Sequence, residues 1–170
     1  SNVFDLVVVG SGPGGYVAAI RAAQLNLKVA IVENENLGGI CLNWGCIPTK
    51  AMLRSAEVYD LMKRSREFGI ETGEVGYDVE KIVNRSIKIA NQLSNGVNFL
   101  LKKNNVTIFN GFAKLTNDKD ISVITKSREI KLHGENIIIA TGAHARDLPN
   151  LKVDGDNIWN YKHALRPSKI

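Results

Sequence analysis

Only two of the 170 residues are cysteines, and the three histidines, His133, His144 and His163, stand far apart. A zinc site wants four ligands at set spacings, so no metal site is expected. Each histidine falls in a predicted loop or turn and reads as surface. Aromatic residues make up 6% of the chain. The net charge of +5, with a pI near 9.2, therefore lacks the aromatic interleaving of a nucleic-acid surface. Its main clusters, Lys63-Arg64-Ser65-Arg66 and Lys102-Lys103, lie on polar faces or ends of predicted helices. No apolar run approaches the ~20 residues of a membrane helix, so neither nucleic acid nor membrane is expected as a partner. An apolar segment begins at Phe4, so no signal or transit peptide is expected, and Ser1-Asn2 reads as a tag remnant. A cytoplasmic protein follows, in a reducing compartment where a disulfide is more often catalytic than structural.

What remains is a globular composition, 44% hydrophobic and 23% charged with a mean hydropathy of −0.08, and a length that suits one domain with one core. Phe4 to Val9 (FDLVVV) is a short apolar run, as in a strand buried on both faces. Gly10 to Gly15 form a turn, Tyr16 to Leu25 a small-residue helix, and Val29 to Val32 a second buried strand ending in Glu33. The three make a βαβ unit. Ile47 to Phe68 carry helical periodicity through Met52, Ala56, Tyr59 and Met62, with Pro48 suited to the first turn. Asp78 is a candidate N-cap for a helix to about Lys103, with Ile82, Ile89, Leu93, Val97 and Leu100 on its apolar face.

The chain then turns to short β segments: Val106 to Phe109, Phe112 to Leu115, Ile121 to Thr125 and Glu129 to Leu132. They predict one core strand and a small antiparallel meander. Asn136 to Ala140 returns as a buried strand before Thr141-Gly142, and the rest reads as loop with one short helix around Tyr161 to Leu165. The fold class is α/β: a parallel sheet with helices, plus the meander.

Gly10, Gly12 and Gly15 satisfy G-x-G-x-x-G. The first permits the tight turn, the second lets backbone approach a pyrophosphate, and the third lets the helix pack on the strand. The helix N-terminus offers N–H groups and a positive dipole end to phosphates. Glu33 follows where a carboxylate can accept from ribose hydroxyls, which suits a free 2′-hydroxyl. FAD and NAD both meet that description.

Cys41 and Cys46 are separated by Leu-Asn-Trp-Gly. Five residues of α-helix advance about 7.5 Å along the axis, whereas bonded cysteines need Cα atoms within roughly 7 Å. If they bond, the helix must break between them, and Gly45 can supply the break. Cys46 then sits near a helix N-terminus, an environment that favours a thiolate, with Lys50 on the same helical face. A redox-active pair is the leading reading; two buried structural thiols are the alternative.

Leu37 to Lys50 (LGGICLNWGCIPTK) closely resembles the active-site signature of the pyridine nucleotide–disulfide oxidoreductases. The leucine after Cys41 and the Ile-Pro-Thr-Lys ending are most similar to the dihydrolipoamide-oxidising members, the E3 components of 2-oxoacid dehydrogenase complexes. Glutathione and mercuric reductases usually carry valine there. The resemblance runs through Glu33, Asn110-Gly-Phe-Ala-Lys114 and Ile139-Ala-Thr-Gly142. It implies an FAD/NAD(P)-binding Rossmann-like domain, with FAD at Gly10, Gly12, Gly14, Gly15, Glu33 and Gly39. Gly111 and Ala113 would meet the adenine end, and Thr141 and Gly142 would make a second FAD contact.

Cys41 would be the interchange thiol, Cys46 the thiolate against the flavin, and Lys50 a neighbour of the reactive ring edge; all three would act in catalysis and touch the cofactor. NAD would be the final acceptor. The partners implied are a dihydrolipoyl domain and, for the whole enzyme, a second copy; the compartment is the bacterial cytoplasm or the mitochondrial matrix. Other flavin disulfide reductases and a non-catalytic flavin or dithiol module are the rival readings. Ile40 departs from a common threonine, and Trp44 stands where many members have valine. By the same resemblance residues 1–145 are the N-terminal portion of the FAD domain and 146–170 a linker. The second Gly-rich motif, the returning Gly-Asp segment and the His–Glu dyad are expected beyond Ile170.

Overall fold

The run Val3–Val9 has no polar face to show to water, so it must be covered on both sides. In the computed structural model of the chain, which describes residues 2–167, it is strand β1 (Val3–Val9), hydrogen-bonded to a neighbour on each edge. Ser1 and residues 168–170, the end of the expected linker, lie outside the described residues. Helix α1 (Pro13–Gln24) leads to β2 (Val29–Glu33), buried throughout. A short helix α2 (Gly39–Trp44), a longer α3 (Cys46–Lys63), a 3₁₀ turn over Ser65–Phe68 and helix α4 (Val79–Lys103) follow. Then come β3 (Thr107–Asn110), β4 (Phe112–Leu115), β5 (Asp120–Ile124), β6 (Glu129–Ile139) and the single turn α5 (Tyr161–Ala164).

Contacts divide the chain into two compact units. The first takes in residues 2–41 and 92–143 and holds one six-stranded sheet in the order β3-β2-β1-β6-β5-β4. β3, β2, β1 and β6 run parallel, and β6, β5 and β4 antiparallel. Only Gly111 separates β3 from β4 in the chain, although the two stand at opposite ends of the order. The meander therefore folds back over one face of the parallel strands. Between the layers lies the core: Phe4, Val7, Val9, Ala30 and Val32 from the parallel strands, against Ile121, Val123 and Leu132 from the meander. The N–H groups of Asp5 and Leu6 both reach Lys28 O. Such a bulge shifts the alternation, which lets Phe4 and Val7 share the core.

The expected meander strand 129–132 and core strand 136–140 are one strand, β6. Its first half pairs antiparallel with β5 and its second half parallel with β1. The polar stretch His133-Gly134-Glu135 reads as a turn in sequence. Gly134 instead lies against β1, where a Cβ would come within 2.8 Å of Val7 Cγ2. His133 is consequently a strand residue and not a loop one, whereas His163 lies in α5, inside the short helix expected around Tyr161 to Leu165. His133 Nδ1 lies 2.7 Å from an Asp120 carboxylate oxygen and Nε2 3.5 Å from Glu135.

The second unit takes in residues 42–91 and 144–167. Arg85 donates to Ala51 O at 2.8 Å, tying the first half of α4 to α3. Tyr59 and Tyr77 meet edge to face. Asp78 caps α4 as expected, accepting from Lys81 N at 3.0 Å, and that bond holds its carboxyl below the usual range. The buried side of α4 is displaced from the expected one. Val83, Ser86, Ala90, Val97 and Leu101 are inside, whereas Leu93 and Leu100 are exposed. Counting large side chains alone missed the small ones that mark the packed stripe. Arg64 of the basic cluster pairs with Asp60 and Glu67. No helix among the described residues is long and apolar enough to cross a membrane.

Candidate functional site

The first part of the site is a turn at the carboxyl ends of the parallel strands, the usual place for a ligand in an open α/β sheet. Gly10 N donates to Val32 O, and Ala140 N to Val9 O, both at 2.8 Å, so the turn leaves β1 wedged between two neighbours. Gly10 has φ +97°, and a Cβ there would lie 2.3 Å from Ala140 O. At Gly15 a Cβ would lie 1.9 Å from Gly10 O, so the first turn of α1 rests directly on the loop. Gly12 faces open space apart from the backbone of Gly39, and Gly14 has nothing within 4 Å. Gly10 and Gly15 are thus fixed by sterics, and Gly12 and Gly14 leave room.

Gly12 is the N-cap of α1, no side chain caps it, and the first turn holds no acidic residue. Helix N–H groups in that state remain available to an anion. Glu33, the last residue of β2, turns its buried carboxylate back onto the loop. One oxygen accepts from Ser11 N at 2.9 Å and Ser11 Oγ at 2.6 Å, and the other from Glu35 N at 2.8 Å. A carboxylate has about four lone-pair positions, so one remains for a further donor.

Ser11 and Gly38 are partners of this turn that the sequence does not reveal, and Gly39 is one that it does. Ser11 is fully buried, its hydroxyl given to Glu33. Gly38 N donates to Ser11 O at 3.0 Å, and next to it Gly39, with φ +67°, comes so close that its Cβ would be 2.6 Å from Gly12 Cα. Glycines in non-adjacent motifs give no pairwise signal in one sequence. Gly111 N donates to Glu33 O at 2.8 Å, and a Cβ on Gly111 would meet Ile124 O at 2.6 Å. Ala113 pairs with Val123 and packs against the core. Thr141 Cα borders Gly10, and Gly142 has φ +69° with open space around it. The structure therefore gathers Gly10, Gly12, Gly15, Glu33, Gly39, Gly111 and Thr141 around one turn; Gly14 and Gly142 face open space, and Ala113 lies on the meander.

The cysteines occupy a helix, a break and a second helix. Half-buried Cys41 lies within α2, a helix absent from the sequence reading because six residues behind two glycines carry too little periodicity. Gly45, with φ −147° and ψ −114°, interrupts the helical run, and exposed Cys46 is the first residue of the 18-residue α3. The break falls at the residue expected to supply it. Cys41 belongs to the first compact unit and Cys46 to the second. Pro48 is buried in the first turn of α3, and Lys50 is exposed four residues after Cys46. Among the described residues no group of three or more histidine, cysteine or acidic side chains could hold a metal.

An uncapped helix on a Gly-rich strand–turn–helix, a buried acid ending the second strand, and a cysteine opening a long helix mark an α/β protein with a Gly-rich turn and a two-cysteine motif. Comparison with known proteins narrows that class. The family described as "Pyridine nucleotide-disulphide oxidoreductase" matches residues 4–168, and the chain belongs to it. A Zymomonas mobilis protein named dihydrolipoyl dehydrogenase is 56% identical over 165 residues, a match covering 96% of this chain and 35% of that protein. One of the same name from Chlorobaculum parvum is 50% identical over 166 residues, covering 97% and 35%. The chain spans about a third of the length of these curated relatives. Among solved structures, the Cu(II) complex of the HOCl-induced flavoprotein disulfide reductase RclA from Escherichia coli superposes with a TM-score of 0.75 at 27% identity. That likeness covers 88% of this chain and 31% of the other.

Proposed function

We propose that the chain is the FAD- and dithiol-bearing part of a dihydrolipoyl dehydrogenase, which oxidises dihydrolipoamide to lipoamide with NAD as final acceptor. The observation that supports the reading is the uncapped α1 turn gripped by Glu33, in a chain that also carries a cysteine at the start of α3 and whose relatives bear that name.

The residues present fit FAD. Gly10, Gly12, Gly14 and Gly15 would hold the pyrophosphate, where a side chain at 10 or 15 would collide with backbone. Glu33 keeps an acceptor position for a ribose hydroxyl. Gly39, Gly111, Ala113, Thr141 and Gly142 would line the nucleotide, and Cys41, Cys46 and Lys50 the flavin. Bound there, FAD would carry the electron pair from the dithiol to NAD.

The step assigned to this chain's own residues is thiol–disulfide exchange. A thiolate of dihydrolipoamide attacks Cys41 Sγ, the Cys41–Cys46 bond breaks, and Cys46 leaves as a thiolate. The second substrate thiol, giving up its proton, attacks the substrate sulfur of the mixed disulfide and releases Cys41. Lipoamide departs as a disulfide and its two electrons remain in the cysteine pair. Cys46, at the N-terminus of α3 with Lys50 one turn on, would be the leaving sulfur of that exchange.

Residues 1–145 would serve as the flavin-binding portion and 146–170 as a linker. A dihydrolipoyl domain of a 2-oxoacid dehydrogenase complex would bring the substrate, and a second copy would complete the enzyme, in the bacterial cytoplasm. The test is NADH formation by the natural full-length protein, flavin-loaded, with dihydrolipoamide and NAD. Turnover is expected. No NADH from dihydrolipoamide, with glutathione disulfide or Hg(II) reduced instead, would contradict the reading.

A further inference from the structure

Ser94 lies on the second half of α4 and has no part in the exchange step. A serine within a helix commonly turns its hydroxyl back onto a carbonyl of the preceding turn. Ser55 and Ser86 do so, donating to Ala51 O at 3.3 Å and to Val83 O at 2.7 Å. Half-buried Ser94 instead donates out of its helix, to Leu37 O at 2.8 Å, across 57 residues of sequence. After Leu37 come Gly38 and Gly39, with φ +94° and +67°. Gly38 is buried and its N–H meets Ser11 O, while Gly39 presses on Gly12. Ser94, residues 37–39 and the Gly10–Gly15 turn all belong to the first compact unit.

Two successive glycines are the costliest residues to order, because each gives up more backbone freedom than any other. A segment built on them gains from every tie at its edge. The Ser94 hydroxyl supplies one from a stretch of helix that is itself anchored, since Val97 and Leu101 on the following turns are buried. Gly12 is the N-cap of the uncapped α1, so the place of Gly39 against it sets one wall of the space before the α1 N–H groups. We infer that Ser94 is a positioning residue for the nucleotide turn. Its hydroxyl holds Leu37 so that Gly38 and Gly39 close on Ser11 and Gly12, and the closed turn takes a dinucleotide pyrophosphate more tightly. The inference rests on the reading of that turn as the FAD site. Without the hydroxyl the remaining contacts of residues 37–39 persist, but more molecules have the segment open. The apparent affinity falls with the closed fraction.

The test is FAD binding by the natural full-length protein stripped of its flavin, read by quenching of flavin fluorescence, with Ser94→Thr and Ser94→Val compared. Both substitutions add similar bulk and the same branching at Cβ, so the contrast between them isolates the hydroxyl. Ser94→Thr should bind as the parent does. Ser94→Val is expected to bind FAD about fivefold more weakly, the worth of one hydrogen bond. Ser94→Ala, which adds no bulk, should fall with Ser94→Val. Gly39→Ala would drive a Cβ into Gly12 and displace the segment by itself, so Ser94→Val should add little on that background. Thermal unfolding of the flavin-free proteins separates positioning from support of the fold. Equal FAD affinities of the threonine and valine variants, whatever their unfolding midpoints, would overturn the inference. So would an undiminished effect of Ser94→Val beside Gly39→Ala. If the parent binds no FAD, the functional reading and this inference fall together. Equal affinities in a protein that does bind FAD remove the inference alone.

Discussion

Helices α1 and α3 both begin at a glycine without a side-chain cap, yet the two helix starts are held in opposite ways. The first is closed by backbone. Gly15 rests on Gly10 O, Gly39 on Gly12, and Ser11 is gripped by Glu33. Beside the second the visible contacts are between side chains, the ring of Trp44 lying under two cations more than a hundred residues away in sequence. A start fixed by backbone contact is rigid and leaves its N–H groups to a ligand. A start flanked by a cation–π stack depends on side chains that a single substitution removes.

The comparison breaks most sharply at the glycines. Gly15→Ala places a Cβ 1.9 Å from a backbone oxygen, an overpacking expected to cost at least about 3 kcal/mol. Gly14→Ala, with nothing within 4 Å, should leave stability unchanged or raise it by about 0.5–1 kcal/mol, as alanine does for glycine in a helix. Urea denaturation of the two variants measures the contrast. Comparable losses in both would mean that the turn is not held by backbone contact. A stable Gly14→Ala protein with weakened FAD binding would identify Gly14 as a cofactor contact.

Glu33→Gln comes next. The amide turns an NH₂ toward donors that the carboxylate accepts from Ser11 and Glu35. A loss of about 1–3 kcal/mol is expected for the unmatched buried groups. Thermal unfolding of the variant would show it, and an unaltered midpoint would remove Glu33 from the support of the turn.

The smallest effect lies in the meander, away from both starts. The hydrogen bond to Asp120 raises the His133 pKa above its ordinary 6.5. His133 therefore contributes stability that is fully present below 6.5 and is lost as pH rises through the higher folded value. Asp120 is lowered, chiefly by Asn117 and then by His133, and Glu135, chiefly by Lys119. Their contributions hold above the ordinary 3.8 and 4.5 and fade as pH falls through the lower folded values. Denaturation midpoints of the parent should decline as pH rises above the ordinary 6.5 more than those of His133→Gln. Parallel profiles would show that the histidine carries no linked charge.

The same contrast explains what the sequence could show. β1, α1 and β2 are legible because burial on both faces, a Gly-rich turn and a terminal acid are local signals. The break at Gly45 is legible because disulfide reach and helical rise can be compared without a structure. The fusion of two expected strands into β6 was hidden by His133-Gly134-Glu135, polar in sequence but continuous in the sheet. The packed stripe of α4 escaped because Ser86 and Ala90 mark it as firmly as any leucine. Arg166 and Lys162 were invisible as partners of Trp44, since a stacked cation over such a span leaves no periodic trace.

The central claim, that Cys41 and Cys46 form one exchangeable pair serving a dithiol substrate, is tested most directly by trapping. The oxidised natural full-length protein is mixed with dihydrolipoamide without NAD, quenched with iodoacetamide and digested for mass spectrometry. Alkylation of both Cys41 and Cys46, with an equivalent of lipoamide formed and neither residue modified when substrate is omitted, is the predicted result. Modification of both cysteines without substrate, or of neither with it, would contradict the account.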